Sequence, residues 1–309
     1  MRPATLRSTA LAATASLAVL SLPGALAVVS SQGPPDRQRI EGPYLGQAPP
    51  GTSPRVFAPG IVSTEAHEFS CSFSPDGREF YFTRRNVREN RTLIMVTSSV
   101  GGAWTDPSPA SFGQGRMEFE PMVTPDGQRL YYTSDRPVPG GPPSPMNVWF
   151  VRRTGERWSG PTPAGSPFNP GHAMYVSMAL DGTIYTTDIS QGPGSERIAV
   201  ARLADGQYRA LERLGPPVNA GSRDMYPFVA PDGRYLVFVS DRDARTSGGG
   251  LFVSFRQPNG TWGEPQAINV GMPAGLPVVS PDGKYLFFTA GERGKSDIYW
   301  VDASFLRRP

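Results

Sequence analysis

The sequence predicts an all-β chain folded as a ring of five repeated, four-stranded antiparallel sheets, a five-bladed β-propeller. Three observations predict it: a turn sequence that recurs five times, an apolar run after each turn, and a composition rich in turn formers. The turns are Ser74-Pro75-Asp76-Gly77, Thr124-Pro125-Asp126-Gly127, Ala179-Leu180-Asp181-Gly182, Ala230-Pro231-Asp232-Gly233 and Ser280-Pro281-Asp282-Gly283. Their aspartates lie 50, 55, 51 and 50 residues apart, an interval that marks a repeat architecture. Proline presets φ at the first corner, aspartate bonds its own backbone, and glycine accepts φ > 0. Each copy is therefore a tight turn between two strands. The 35 Gly and 34 Pro among 309 residues suit a chain of many short strands and few helices.

The chain begins with a basic stretch holding Arg2 and Arg7, then an apolar run over residues 11–22, then Ala25-Leu26-Ala27. That order is the pattern of a cleaved secretory signal, so residues 1–27 are expected to be removed and the protein to be periplasmic or secreted. Loss of Arg2 and Arg7 takes the formal charge from +3 to near +1. A balance so close to neutral argues against a nucleic-acid groove. No later apolar run is long enough to span a bilayer. The lone Cys71 has no internal partner and reads as a buried, inert thiol. Residues 28–52, with Ser30-Ser31-Gln32-Gly33-Pro34-Pro35 and Ala48-Pro49-Pro50-Gly51, read as a flexible lead-in with little to pack. The propeller domain is expected over residues 53–309.

Within each repeat the order of elements is the same. A first strand precedes the turn, as in Glu120-Pro121-Met122-Val123. The second strand follows it: Phe80-Tyr81-Phe82-Thr83, Leu130-Tyr131-Tyr132-Thr133, Ile184-Tyr185-Thr186-Thr187, Tyr235-Leu236-Val237-Phe238-Val239 and Tyr285-Leu286-Phe287-Phe288-Thr289. These near-continuous apolar runs predict strands covered on both faces, as radially stacked sheets are. A third strand follows, for example Val148-Trp149-Phe150-Val151 and Ile298-Tyr299-Trp300-Val301. A glycine turn and an aromatic residue (Trp104, Trp158, Tyr208 or Trp262) then open an expected fourth strand. Pro107, Pro161 and Pro265 suit an edge position there.

The fifth repeat ends before its fourth strand. Residues 55–62, containing Arg55-Val56-Phe57-Ala58, are expected to supply it and close the ring, which protects an otherwise open edge. The alternative, six blades, needs a whole sheet before Glu65, and residues 28–64 are too short and too polar for one.

The Ser-Pro-Asp-Gly turns, apolar second strands, Ser-Asp-Arg steps and the Asp297-Ile298-Tyr299 third strand resemble the TolB-type WD40-like β-propeller repeat. The likeness covers residues 64–302, best in the last copy and least in the third, where Leu180 replaces the turn proline. It implies a propeller. Such repeats serve periplasmic scaffolds, peptidase domains and polysaccharide-degrading enzymes alike, so it does not fix an activity.

Candidate functional groups fall at the two ends of the second strands' far side, away from the turns. Glu68, Glu120, His172 and Asp224 approach the first strands, whereas the fifth copy has Ala274-Gly275 there. Arg136 and Arg242 follow the second strands in Ser-Asp-Arg steps. Converging charges of this kind can form a site, and they can equally form ion pairs between blades. Glu68, Glu120, His172, Asp224, Arg136 and Arg242 are accordingly the candidate ligand-binding residues. Glu68, Glu120, Asp224 and His172 are also the candidate catalytic groups. His67 and His172 are the only histidines, which excludes a multi-histidine metal site. Nothing in the sequence requires a cofactor. No Gly-x-Ser-x-Gly elbow or phosphate loop occurs, and the Ser-x-Asp-x-Gly-x-x-Trp box fails because Asp76 and Gly77 are adjacent. The leading expectation is a monomeric, exported binding scaffold for a protein partner or an envelope glycan. The alternative is a carbohydrate-active hydrolase or lyase, which needs two carboxyl groups about 5–9.5 Å apart.

Overall fold

The computed structural model describes residues 39–113, 117–141, 144, 146–243, 249–292 and 295–307. The expected signal segment lies outside them. The chain forms five antiparallel sheets arranged as a five-bladed propeller. Blade 1 comprises His67–Phe73, Glu79–Asn86 and Arg91–Val100, with Ser108–Pro109 outermost. Blade 2 comprises Glu118–Val123, Arg129–Ser134, Asn147–Thr154 and Thr162–Pro163. Blade 3 comprises Ala173–Met178, Ile184–Asp188, Arg197–Ala201 and Glu212–Arg213. Blade 4 comprises Asp224–Val229, Tyr235–Ser240, Gly250–Phe255 and Gln266–Ile268. Blade 5 comprises Ala274–Val279, Tyr285–Glu292 and Lys295–Asp302.

The ring closes as the sequence predicts. Arg55–Val56 adds to the outer strand of blade 5, with Arg55 opposite Trp300 and Val56 opposite Tyr299. The Phe57 backbone N–H continues the ladder to the Ile298 carbonyl at 2.8 Å. Phe57 is fully buried and meets Phe80 of blade 1 and Phe287 and Trp300 of blade 5 edge-on. One segment thus supplies both the missing strand and the aromatic wedge at the seam.

Two details differ from the sequence reading. The aromatic residue after each third strand does not begin the fourth. Trp104, Trp158, Tyr208 and Trp262 instead turn back on the tail of the third strand, opposite Ser99, Arg153, Leu203 and Arg256. The Arg153 and Arg256 guanidiniums lie 3.8 and 4.5 Å from the Trp158 and Trp262 ring centroids, a cation–π contact that holds the hairpin. The fourth strand proper forms after the proline. Residues 39–52, read as having little to pack, lie on the ring. Leu45 is buried, Tyr44 packs against Phe73, Tyr285 and Trp300, and its hydroxyl donates to Asp282 Oδ1 at 2.7 Å. The Trp104 indole donates to the Gly42 carbonyl at 2.8 Å.

Each turn is built as its residues dictate. In the first, the Ser74 hydroxyl donates to Asp76 Oδ1, the Arg78 N–H donates to the same oxygen, and Gly77 takes φ 70. The other four turns repeat the aspartate-to-backbone bond at Gln128, Thr183, Arg234 and Lys284. All five turns therefore stand on one face, here called the turn face.

Candidate functional site

The innermost strands carry two registers that matter. Eight residues before each turn aspartate stand Glu68, Glu118, Ala173, Asp224 and Ala274, near the face opposite the turns. Three are buried acids, each paired with an arginine of its own blade. Glu68 Oε1 accepts from Arg84 Nε at 2.7 Å, Glu118 Oε1 from Arg136 at 2.6 Å, and Asp224 Oδ1 from Arg242 at 2.9 Å. The guanidiniums also brace loops: Arg84 donates to the Ile61 and Val62 carbonyls, and Arg242 to those of Pro217 and Val218. In blade 3 the acid moves to the second strand, where Asp188 pairs with Arg213 at 2.6 Å. Blade 5 has Ala274 opposite Ala290, with Asp297 next across the sheet.

Of the candidate residues, Glu68, Asp224, Arg136 and Arg242 are held in internal ion pairs: Glu68 with Arg84, Asp224 with Arg242 and Arg136 with Glu118. The counterpart of Glu68 is Glu118, not Glu120. His172 is exposed, and its backbone, not its ring, makes the contacts to Phe168 and Ile189. His67 ties the seam instead: Nδ1 accepts from the Ser296 N–H at 3.0 Å, and burial with the nearby Arg85 charge holds its pKa below the usual value. Counting back eight residues from the turn aspartates finds Glu68, Glu118 and Asp224 from sequence alone, and misses Asp188.

The second register lies six residues before each aspartate. Ser70, Glu120, Tyr175, Tyr226 and Leu276 all take a left-handed φ, between 47 and 59, at a bulge in the innermost strand. Such conformations are costly for side-chain-bearing residues and are held by the neighbouring blade. The backbone N–H groups of Glu120, Tyr226 and Ser70 donate to Thr83, Thr187 and Thr289 Oγ1 of the preceding blade at 3.1, 2.9 and 3.0 Å. Between blades 2 and 3 a carboxyl group is inserted into this pattern. Thr133 donates to Glu120 Oε2 at 3.0 Å, and Glu120 Oε2 accepts from the Tyr175 N–H at 3.0 Å. Glu120 is buried without a guanidinium, and burial pushes its pKa up to about 7 against the two hydrogen bonds that lower it.

Tyr175 divides the axial channel. Its hydroxyl reaches from blade 3 to the Pro277 carbonyl of blade 5 at 2.7 Å, and its ring meets Tyr226 edge-on at 5.4 Å. On the turn side of this bar lies a cavity of about 550 Å³. Every blade contributes to its wall, with Phe73, Met122, Val176, Phe228 and Val278 among the apolar groups and Glu120 and Tyr175 at the inner end. Leu180, which replaces the turn proline in blade 3, stands 68% exposed at the mouth. A smaller hollow of about 330 Å³ opens on the opposite side around Tyr226, Ala274, Gly275 and Leu276, in the sector where the innermost strand of blade 5 carries Ala274 in place of an acid. Among the described residues no group of three or more His, Cys, Asp and Glu side chains could hold a metal ion.

The fold and its axial cavity define a β-propeller, and the comparisons agree on that level. No protein-family model matches the sequence, and no curated protein matches it. Among solved structures the chain is similar to a TolB of Agrobacterium tumefaciens, at 17% identity over 77% of this chain and 78% of that one, with a TM-score of 0.52. It is also similar to TolB from Acinetobacter baumannii, at 16% identity over 79% of this chain, with a TM-score of 0.50; there it spans 53% of the other chain. These likenesses establish a propeller distantly akin to TolB propeller domains.

Proposed function

We propose that the chain is an exported, non-catalytic binding scaffold that seats a protein partner in the axial cavity on the turn face. The observation that carries this reading is the cavity itself. Its volume is that of a ligand site, its walls are drawn from all five blades, and they are mostly apolar, with Glu120 at the inner end and the charged groups Asp232, Arg234 and Asp282 in the turns. An apolar wall favours the side chains of a protein segment over a glycan, whose hydroxyls need a dense set of polar partners. The exposed Leu180 and the prolines at positions 75, 125, 231 and 281 ring the mouth with further apolar surface. The proposed seat is thus the turn face, not the opposite face that the sequence favours.

The hydrolase or lyase alternative receives less support. Glu68, Glu118 and Asp224 are each neutralised by an arginine, and the cavity's other carboxyl groups beside Glu120 belong to the turns, where Asp232 pairs with Arg234 and Asp282 with Lys284. Export is proposed from the basic, apolar and small-residue order of residues 1–27. The test is selection of peptides from a random library on the purified chain, repeated on Val278→Trp, which fills the cavity from blade 5. The expected result is peptides that bind the native chain and lose about tenfold or more on the variant. Peptides that bind both equally contradict the proposed seat.

A further inference from the structure

We propose that the inner end of the axial cavity is a recognition site for a primary ammonium group carried on an apolar stem, with Glu120 as its counter-ion. The inference rests on the proposed seat and names the chemistry that the seat selects.

Glu120 Oε2 takes both of the residue's hydrogen bonds, from Thr133 and from the Tyr175 N–H. These donors fix the carboxyl group and leave its other oxygen for a ligand. Among the described residues no arginine or lysine pairs with it, unlike Glu68, Glu118 and Asp224. A buried carboxylate without a partner is costly, and an incoming cation removes that cost. The titratable groups near it are the Tyr175 and Tyr226 phenols, both held neutral because burial raises their pKa values, while Asp232, Arg234 and Asp282 line the cavity in the turns. The inner strand rises from Glu120 to Thr124 over about 13 Å, so the stem runs between Met122, Val176 and Val278 before the cation meets Glu120. A flexible alkyl stem suits that path; a branched polar one does not. At the mouth Asp282 stays ionised, its pKa drawn down to about 2 by hydrogen bonds from Tyr44, Ser280 and Lys284 that outweigh burial.

The experiment titrates the full chain, in amine-free buffer, with n-hexylammonium and with n-hexanol, which shares the stem and lacks the charge. Hexylammonium should bind about tenfold or more tighter than hexanol, and Glu120→Gln should reduce that preference to about threefold or less. Should the variant fail to fold, the native chain supplies the same answer. Hexylammonium affinity should fall about 30-fold from pH 8 to pH 5.5 as Glu120 takes up a proton, while hexanol affinity stays level. Nα-acetyl-lysine methylamide distinguishes the source: binding at least as tight as hexylammonium assigns the ammonium to a partner's lysine, and weaker binding assigns it to a free amine. Equal binding of hexanol and hexylammonium to the native chain would overturn the ammonium inference and leave the cavity a ligand site. Binding of neither probe at millimolar concentration would overturn the seat as well.

Discussion

Glu120 and Tyr175 meet across the boundary between blades 2 and 3: the Tyr175 backbone N–H donates to Glu120 Oε2 at 3.0 Å. At the three boundaries described above, a threonine hydroxyl receives the corresponding N–H directly. A carboxyl group therefore stands where those three boundaries use a neutral hydroxyl, and it lines the cavity.

This burial has a pH signature. The folded pKa of Glu120, about 7, exceeds its ordinary 4.5, so the native state binds more protons than the unfolded chain between those values. Stability then falls as pH rises from 4.5 through 7. Glu120→Gln keeps an acceptor for Thr133 and Tyr175 and carries no charge. In amine-free buffer it should match the native chain near pH 4.5 and exceed it by about 3 kcal/mol at pH 8. Urea unfolding at the two pH values measures this, and a constant difference would contradict it.

The paired acids of the opposite face behave differently. Arg242→Met leaves Asp224 buried without its counter-ion and strips donors from the Pro217 and Val218 carbonyls. It should destabilise the chain by about 3–5 kcal/mol. Adding Asp224→Ala should restore part of the loss, because the uncompensated charge is then gone. Additive losses in the double variant would show that the two groups do not interact.

At Ser70 the inner strand takes φ 47, and the buried Oγ has no hydrogen-bond partner among the described residues. Ser70→Gly removes both penalties and keeps the N–H bond to Thr289. Thermal unfolding should show a gain of about 1 kcal/mol. Ser70→Val, which adds a branched side chain at the same φ, should lower stability.

The seam depends on Phe57. Phe57→Ala opens a space among Phe80, Phe287 and Trp300 and should cost about 3–5 kcal/mol. Protease digestion should then cut first within residues 55–63, since loss of the wedge releases the closing strand. Cleavage elsewhere would place the weakest boundary of the ring at another seam.

The turns, the five blades and the closing strand were legible in the sequence because each rests on local chemistry: Pro-Asp-Gly geometry, unbroken apolar runs and a missing fourth strand. The pairing of the acids was less so. Glu118-Phe119-Glu120 offers two carboxyl groups two residues apart, and strand alternation alone places both on one side. The bulge at Glu120 separates them, sending Glu118 to Arg136 and Glu120 to Thr133 and Tyr175. The cavity was not legible, because it depends on how far one side chain reaches: Tyr175 spans from blade 3 to the Pro277 carbonyl and decides which half of the channel stays open. Tyr44 likewise sits in a segment whose prolines and glycines suggest a linker, and only the ring surface it meets gives it a place.

A partner seated on the turn face is tested most directly with a photo-crosslinking amino acid at Leu180, at the mouth of the cavity, or at His172, on the opposite face, in the chain expressed in its own cell. Irradiation is expected to join a protein to the Leu180 position and none to the His172 position. Crosslinks at His172 with none at Leu180 would contradict that seat.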